Sequence, residues 1–543
     1  MRKGFEEEIE KINKAHSNKI KLQTFVAGEG KHGVLNQIHQ LNQVLKSKPS
    51  AIVIQPTDNS ALALGLLEAN LKGIPVIAYD QYIVNGHLTS YVTSDNYRAG
   101  QDNAEFINTL YEKGKSLKIV VFEYAKVSST MDRVDGFFDT LREKERAFRV
   151  LKKYEAVDPE SGALAAKKFL KDFPRKYSVD LILTVNDGGG LPIVKALWDK
   201  KRHEIRHVTF DGDPASIKNL EAKKLTVIDS AQFCAELGRV SARTLSDLLQ
   251  NKVVAAKKLV PTFPVTRNNI SQYPGWMGVP SPEMELQTTT NGKAAQLHVV
   301  PNISVKSGRL VLRIGIAPLC PYLCQKAPGR WSGYLYDILM DVAQENDFTL
   351  QIEGIPNTRL ITNLPSQRIQ YAIIPSYLVR YRSDIRISGP RLGITYSGAL
   401  VPSKAPPTLI DEKYLSTRRV IYADIGDDTL LDGFFEHATK ITGSDVSDRM
   451  LRMMGDGRIE LAIGDYNVLN YAKARKPGIP LKVVPTSLTG FNSLVLVSLP
   501  RNAEMDILSP SLERWIANSR RNGKLDAILK KYNLSDWQIF LPY

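Results

Sequence analysis

The sequence predicts an α/β protein with several mainly parallel sheets, and three observations support this. Short apolar runs rich in Val, Ile and Leu alternate with segments of about ten to fifteen residues that have helical periodicity. Polar residues such as Asn186 and Asp211 follow directly after apolar runs. The chain has 543 residues, too many for one hydrophobic core, which favours two or three domains.

The clearest unit is the stretch 180–212, DLILTVNDGGGLPIVKALWDKKRHEIRHVTFDG. It predicts a strand at 181–185, a helix at 191–200 and a second strand at 208–210. Parallel strands need a crossover helix, and ligands of open α/β sheets bind beyond the carboxyl ends of the strands. We therefore expect Asn186 and Asp211 to face one cleft.

The same criteria predict the elements that precede this unit, starting from a charged amphipathic helix. In order, they are helix 4–17, strand 21–27, helix 34–46, strand 51–55, helix 61–72, strands 75–80 and 91–94, helix 98–113, strand 117–122, helix 132–144, strand 149–154 and helix 161–173. Strands that alternate with helices in this way are typical of doubly wound sheets.

Composition narrows the class of protein. The net charge is +15, but the Lys and Arg residues are spread over amphipathic helices, so they indicate solvated surfaces and not a nucleic-acid site. With three cysteines there is no disulfide framework; Cys320 and Cys324 either pair or are small loop hydrophobes. No apolar run has the length of a membrane span, and no secretory signal precedes the first helix.

Several stretches of the first half occur together in an order that is characteristic as a set. They are AIVIQPTDNSALA (51–63), GIPVIAYD (73–80), YVTSDNYRAG (91–100), SSTMDRVDGF (128–137), LILTVND (181–187), VTFDG (208–212), Gln232 and PVTRNNI (264–270). With them, residues 1–270 resemble the type I periplasmic solute-binding proteins, the ribose-binding-like family whose fold LacI-type effector domains share. The resemblance implies two doubly wound α/β lobes joined by a hinge.

The resemblance also implies a sugar site in the first half. Matching positions place Asp80, Arg133, Asn186, Asp211 and Gln232 in contact with the ligand. Such residues suit a polyol, because hydroxyl groups both donate to carboxylates and accept from Arg or Asn. The alternative is that each one caps local backbone groups. The family's sugar-stacking aromatic has no counterpart in the segment 156–162, AVDPESG.

A second departure concerns the first strand. The family opens with a strand that, in the 2-1-3-4-5 order, would lie between the strands predicted at 21–27 and 51–55. A sheet without this strand would contain two unpaired inner edges. We therefore expect the natural product to continue upstream of Met1 with that strand, preceded by an export signal that directs it to the periplasm.

Periodicity lapses over 271–308, which is the predicted linker, with a short strand possible at 297–300. A second domain at 309–543 follows. Its predicted elements are strand 310–317, helix 333–346, strands 349–352, 371–375, 398–401 and 419–422, helix 444–454 and the segments 386–392 and 455–472. With its ending NGKLDAILKKYNL (522–534), this half resembles the type II periplasmic solute-binding proteins of the polar amino-acid group, which implies a second hinged pair of lobes.

An amino-acid ligand needs an acidic group for its ammonium, a guanidinium for its carboxylate and often an aromatic platform. By resemblance, Asp465 binds the ammonium and Tyr322 supplies the aromatic ring. The family position of the arginine falls on Tyr381, so Arg380 or Arg382 is the candidate. Alternatively, both arginines lie on a solvent-facing loop, or the ligand has no α-carboxylate.

The function predicted from these features is capture of small polar ligands, sugar-like in the first domain and amino-acid-like in the second, by hinge closure. The partner would be a membrane permease of the ABC type, or a sensor kinase or cyclase, and the tandem arrangement slightly favours sensing. A LacI-like regulator or another cytoplasmic ligand sensor is the alternative. The eight histidines form no metal motif, and neither a Gly-x-Ser-x-Gly elbow nor a P-loop is present, so we expect no enzyme and no cofactor.

Overall fold

The computed structural model describes residues 1–15, 17, 19–28, 30–284, 287–289, 310–327, 329–366, 368–405, 410, 412–423, 438–441, 446–486, 488, 490, 492–500 and 506–535. The short strand predicted at 297–300 lies outside these residues. None of the described helices is both long enough and apolar enough to cross a membrane.

The first half alternates strands and helices as the sequence predicts. Its helices are α1 (Arg2–Ala15), α2 (Gly30–Ser47), α3 (Ala63–Leu71), α4 (Asn96–Leu110), α5 (Ser128–Glu143), α6 (Pro159–Asp172), α7 (Asp187–Asp199), α8 (Pro214–Glu221) and α9 (Cys234–Leu249). Its strands are β1 (Ile52–Ile54), β2 (Val76–Tyr79), β3 (Ser90–Ser94), β4 (Leu117–Glu123), β5 (Phe148–Glu155), β6 (Leu181–Thr184), β7 (Arg206–Asp211), β8 (Thr226–Gln232), β9 (Lys257–Val260), β10 (Thr262–Thr266) and β11 (Gln287–Thr289).

These strands form two sheets, and each sheet is the centre of a lobe. The first lobe has the order β1-β2-β3-β9-β11, and the second lobe has the order β10-β8-β7-β6-β4-β5. The chain passes between the lobes at Asp95, Phe233 and Pro261, each of which separates an element of one lobe from an element of the other, and it returns to the first lobe between Thr266 and Gln287. Three adjacent crossings make a hinge.

The prediction of a strand at 21–27 is wrong. The structure describes 19–28 as irregular and largely exposed chain. Among the described residues, Ile52–Ile54 pairs on one side only, with Val76–Ala78. A strand needs a partner strand for its backbone groups, whereas the carbonyls of Val26 and Ala27 accept from the side chains of Gln40 and Asn36 on α2, each at 3.0 Å.

Helix α7 begins earlier than the sequence predicts, at Asp187, and therefore contains the three glycines. The physical reason is close packing against α6. A Cβ atom on Gly162 would lie 2.3 Å from the carbonyl oxygen of Gly189, and one on Gly189 would lie 2.8 Å from the backbone of Ala156. Gly189 therefore contacts both α6 and the residues that precede it, and the three glycines belong to a helix and not to a loop.

The described residues of the second half contain two further five-stranded sheets and a two-stranded sheet formed by Cys324–Ala327 and Arg330–Ser332. Its strands are β12 (Val311–Ile316), β13 (Cys324–Ala327), β14 (Arg330–Ser332), β15 (Thr349–Gly354), β16 (Tyr371–Pro375), β17 (Arg386–Thr395), β18 (Ser397–Pro402), β19 (Val420–Tyr422), β20 (Thr439–Lys440), β21 (Leu461–Asp465), β22 (Leu481–Pro485) and β23 (Asn492–Ser498). Its helices are α10 (Tyr334–Glu345), α11 (Asn357–Asn363), α12 (Glu412–Ser416), α13 (Val446–Gly455), α14 (Tyr466–Ala474), α15 (Leu508–Arg521) and α16 (Lys524–Lys531).

The third lobe has the sheet order β15-β12-β16-β23-β17, and the fourth lobe has the order β20-β19-β21-β18-β22. The chain crosses between these lobes at Tyr396 and again between Pro485 and Asn492. Cys320 and Cys324 pair in a disulfide, so the first of the two alternatives holds. This disulfide closes the short loop that carries Tyr322.

Candidate functional site

Asp80 stands at the carboxyl end of β2 in a tight turn. Its φ angle is +64°, and the amide of Gln81 donates to the carbonyl of Tyr79 at 2.7 Å. The Asp80 carbonyl accepts from Tyr91 Oη at 3.2 Å and from Thr93 Oγ1 at 3.0 Å. Positive φ is uncommon outside glycine, and strain of this kind concentrates at ligand sites where neighbours hold it in place.

The Asp80 carboxylate is buried at the opening between the lobes. Gln55, at the end of β1, donates to its Oδ2 at 2.8 Å. Burial raises the pKa of Asp80, and the nearby Arg133 guanidinium opposes this shift. Within the described part of the chain, Oδ1 has no hydrogen-bond partner and can accept from a ligand hydroxyl.

Asp211 reaches the same region from the second lobe. Arg133 Nη1 lies 2.9 Å from its Oδ1, and Gln232 Nε2 donates to the same oxygen at 2.6 Å. Its φ angle is +107°, so a second acidic residue has a strained backbone. Because both contacts end on Oδ1, the other carboxylate oxygen has no partner among the described side chains and is available to a ligand.

Arg133 is held rigidly behind Asp211. Its Nε donates to Asn96 Oδ1 at 2.9 Å and its Nη1 to the carbonyl of Val185 at 2.7 Å. The guanidinium lies over the Phe210 ring, 5.2 Å from the ring centroid. A planar cation fixed in this way orients the Asp211 carboxylate and places positive charge beside the cleft.

Two buried acids support the turn that carries Asp211. Asp187 accepts from Thr209 Oγ1 at 2.8 Å and from the amide of Asp213 at 2.7 Å. Asp229 accepts from the amide of Gly212 at 2.9 Å. Burial, together with the mutual repulsion of the acids, raises the pKa of Asp187 well above its usual range, and burial raises that of Asp229 to about 6.

Asn186 does not bond to the other four predicted residues. It caps α7: its Oδ1 accepts from the amide of Gly189 at 3.1 Å, and its Nδ2 donates to the carbonyl of Val157 at 2.8 Å. The local capping alternative therefore describes its contacts. It nevertheless lines the same cavity as Asp80 and Asp211.

This cavity has a volume of about 2270 Å³. Small-molecule sites usually measure about 300–1,000 Å³, so a sugar would fill only part of it. The remainder extends along the irregular segment 19–28 and the edge of β1. Arg133 and Gln232 are not on its wall but lie behind Asp211, 3% and 5% exposed.

Sequence reasoning missed Gln55 and Trp276, which both line the cavity. Gln55 ends an apolar strand, the same signal that identified Asn186, so the rule could have found it. Trp276 donates from Nε1 to the carbonyl of Asp211 at 2.6 Å and supplies an aromatic wall. It falls in the predicted linker, where no periodicity marked it, but the amide of Ala235 donates to its carbonyl at 2.9 Å and anchors it to the first half.

The predicted residues of the second half separate into two groups. Tyr322 of the third lobe donates from Oη to both carboxylate oxygens of Asp465, a residue of the fourth lobe, at 3.0 Å. Asn467 donates to Tyr322 Oη at 3.2 Å, and its buried Oδ1 has no partner within the described residues. Burial raises the pKa of Asp465 to about 6.

Arg380 and Arg382 have other partners. Arg380 is buried, and its Nε donates to Asp135 of the first half at 2.5 Å. Arg382 is partly exposed and pairs with Asp384. The structure therefore does not bring either arginine to the Tyr322 and Asp465 pair; of the two, only Arg382 fits the solvent-facing alternative.

No metal site is apparent in the described ranges, which contain no group of three or more His, Cys, Asp or Glu side chains placed to hold an ion. The walls of the cavity offer carboxylate and amide acceptors and an indole, while the Arg133 guanidinium lies behind Asp211. Such groups bind a polar, uncharged molecule with several hydroxyl groups.

Part of the chain is similar to known proteins. Residues 1–252 match the family model described as periplasmic binding protein domain. The predicted resemblance of the first half to type I periplasmic binding proteins is thereby confirmed over these residues. The type II resemblance of the second half stays a prediction.

Individual relatives match a part of the chain of similar length. The chain is 26% identical over 219 residues to the ribose import binding protein of Bacillus subtilis, covering 40% of this chain and 69% of the relative. It is 27% identical over 208 residues to the Escherichia coli ribose import binding protein, covering 38% and 68%.

Solved structures are also similar to part of the chain. A solute binding protein of an ABC transporter from Agrobacterium vitis, bound with α-D-tagatopyranose, is 22% identical, with a TM-score of 0.44 and coverage of 52% of this chain and 93% of that chain. Another, from Bacillus halodurans with bound myo-inositol, is 17% identical, with a TM-score of 0.43 and coverage of 50% and 92%.

Proposed function

We propose that the first half is an extracytoplasmic solute-binding module that captures a sugar or polyol between its two lobes. The observation that carries this proposal is the convergence of Asp80 from the first lobe with Arg133 and Asp211 from the second, beside Gln232, which precedes the crossing residue Phe233. Each aspartate has one carboxylate oxygen bonded within the protein and one left for a ligand.

Hinge closure gives this module its mechanism. A ligand contacts Asp80 and Asp211 together only when the lobes meet, so its binding energy favours the closed state. The turns that hold the two aspartates are braced by backbone and side-chain hydrogen bonds, which limits the entropy lost on binding. The family match over 1–252 supports the same function.

We place the module in the periplasm, where it delivers its ligand to an ABC-type permease or presents the closed form to a membrane sensor kinase or cyclase. Support comes from the ribose import binding proteins among its relatives. The permease is the better supported partner, because the relatives are named for import.

A second ligand site, for an amino acid, is proposed in the second half. The specific observation is that Tyr322 and Asp465, from facing lobes, meet beside Oδ1 of Asn467, an atom that has no hydrogen-bond partner among the described residues. A ligand ammonium would replace the tyrosine hydroxyl on Asp465 and also bond to this oxygen. Arg380 is already neutralised by Asp135, which favours a ligand whose carboxylate is held by other groups, or an amine without one.

The test is a thermal-shift screen of the full chain. The panel contains D-ribose, D-xylose, D-tagatose, D-fucose, allitol and myo-inositol, together with the common amino acids and simple amines. A ligand that binds only the folded state raises the unfolding midpoint. We expect at least one sugar or polyol to do so, with loss of the shift in Asp211→Asn; a panel without any shift, or a shift unchanged in the variant, would overturn the sugar site.

A further inference from the structure

Each lobe of the second half packs on a different lobe of the first. The third lobe contacts the second lobe through a buried ion pair, in which Arg380 Nε lies 2.5 Å from Asp135 Oδ1. The two side chains are only 5% and 9% exposed. Arg391 adds a second cation, with Nη2 at 3.4 Å from Asp135 Oδ2.

Neighbouring contacts make this interface specific. The Tyr381 hydroxyl donates to the Glu123 carboxylate, and the Tyr381 ring packs edge-on against Phe138 with centroids 5.1 Å apart. Arg142 Nη1 donates to the carbonyl of Arg380 at 2.8 Å. Charge-assisted hydrogen bonds that are shielded from water fix the relative position of the two surfaces. The third lobe is therefore held against β4 and α5 of the second lobe.

The fourth lobe is fastened to the first lobe by apolar packing. Tyr466, at the start of α14, stacks on the crossing residue Tyr396 with ring centroids 5.0 Å apart. Both tyrosines belong to one buried cluster with Leu62, Tyr82 and Val84 of the first lobe. A small cavity of about 90 Å³ lies in the same interface, between α2 and α3 on one side and β22 on the other.

The crossing segment of the second half also contacts the second lobe directly. A Cβ atom on Gly490, in the second crossing of the second half, would lie 1.9 Å from the carbonyl oxygen of Ala125, which follows β4. Such an approach is possible only for glycine. The crossing segment of one half therefore lies against the second lobe of the other half.

Both halves are joined across their clefts in the same way. In the first half, Gln81 Nε2 of the first lobe donates to Ser129 Oγ of the second lobe at 2.7 Å. In the second half, Tyr322 of the third lobe bonds to Asp465 of the fourth. The structure thus contains both clefts with their lobes in contact.

We propose that the two hinges are mechanically coupled, so that separation of the first and second lobes pulls the fourth and third lobes apart. Occupancy of one cleft then changes the affinity of the other, and the coupling is reciprocal because it is a free energy between two sites. The second half becomes a regulator of sugar capture, or the reporter of it. This inference deepens the proposed function, on whose hinge closure it rests.

The experiment measures the separation of the lobes without ligand, so its outcome does not depend on whether any sugar of the panel binds. Genetically encoded spin labels at Leu71 and Tyr177, which are 88% and 71% exposed on the first and second lobes, report on the first cleft by pulsed electron resonance. A second label pair at Gln344 and Asp456, both exposed, reports on the third and fourth lobes. The full chain is used throughout.

Two variants are designed to open the second half. Tyr322→Phe removes the hydrogen bond to Asp465, and Asp465→Arg places a bulky cation between the closed lobes. For whichever variant lengthens the distance across the second half, we expect the distance across the first cleft to lengthen or broaden as well. An opened second half with an unchanged first cleft would overturn the proposal, as would a second half that neither variant opens, because a rigidly shut cleft cannot report on its neighbour.

Uncoupling provides the control. The double variant Asp135→Asn with Arg380→Gln removes both charges of the buried pair without leaving one unpaired. Combined with the opening variant, it should return the first cleft to the wild-type distance. Arg382→Gln, which loses only the exposed pair with Asp384, should leave the coupled opening intact. If the double variant and Arg382→Gln, each combined with the opening variant, gave the same distance across the first cleft, the proposal would also be contradicted.

Discussion

At the scale of single residues, the site depends on two aspartates held in backbone conformations that aspartate seldom adopts. Asp80 and Asp211 have φ angles of +64° and +107°. Asparagine and aspartate tolerate positive φ better than other residues, so an asparagine can replace either one without disturbing the turn. An Asp→Asn substitution at either position therefore tests the charge without changing the backbone conformation.

Asp80→Asn should weaken sugar binding by about 10- to 100-fold, because a hydrogen bond to a charged group contributes about 1.5–3 kcal/mol. Titration calorimetry with the sugar that gives the largest thermal shift measures this loss. Gln55 can still donate to the new amide oxygen, so the unfolding midpoint should change little. Unchanged affinity would remove Asp80 from the site.

The pH dependence of the second half depends on Asp465. Burial between Tyr322 and Tyr334 raises its folded-state pKa from 3.8 to about 6, so the neutral acid is favoured in the folded protein. Its contribution is fully present below about pH 4 and is lost as pH rises through about 6. Relative to Asp465→Asn, the wild type should therefore lose stability over this window.

Thermal unfolding of both proteins at pH 4, 5, 6, 7 and 8 checks this prediction. The difference between their midpoints should change between pH 4 and 6 and stay constant above about 7. A difference that is the same at every pH would show that Asp465 titrates normally.

At the scale of elements, local pattern predicted most of the first half. The strand at 181–185 was predictable because four buried apolar or small residues precede a cluster of breakers, and the structure has Leu181–Thr184. The absence of a strand at 21–27 was not predictable, since alternating residues show that a segment suits a sheet but not that a partner strand is present. Helix α7 was shortened in the prediction because glycines usually end helices, whereas here they permit contact with α6.

This helix contact gives an element-scale prediction. Gly162→Val should force α6 and α7 apart, because even a Cβ atom would lie 2.3 Å from the carbonyl of Gly189. Overpacking of this kind costs about 1–3 kcal/mol, which lowers the unfolding midpoint, and it displaces Asn186 and Asp187 from the cavity. Gly478→Ala is the matched control, since no atom lies within 4 Å of its added Cβ. Equal midpoints for both variants would contradict the close packing.

At the scale of the whole molecule, the sequence predicted two halves but not how they pack. Asp135 and Arg380 are 245 positions apart, and neither has a local pattern that identifies the other as its partner. The resemblance left Arg380 and Arg382 as candidates for a ligand carboxylate, whereas the structure pairs Arg380 with a carboxylate from the first half. Long-range ion pairs depend on the relative placement of domains, which hydrophobic periodicity does not encode.

Removal of Arg380 should therefore destabilise the packing of the two halves against each other and not only one site. Arg380→Ala leaves Asp135 buried beside the more distant Arg391 and should cost about 3–5 kcal/mol, as broken buried pairs do. The double variant Asp135→Asn with Arg380→Gln should recover most of this loss. Chemical denaturation followed by tryptophan fluorescence measures both; an Arg380→Ala variant as stable as the wild type would mean that the halves are not fastened there.

The central claim is that residues from two lobes together hold a sugar or polyol in the first cleft. The most direct measurement is a crystal structure of the full chain grown with the best stabilising member of the panel. We expect one molecule between Asp80 and Asp211, with hydroxyl groups within hydrogen-bond distance of both carboxylates and its ring beside Trp276. Density for the sugar elsewhere, or contact with one lobe alone, would contradict the claim.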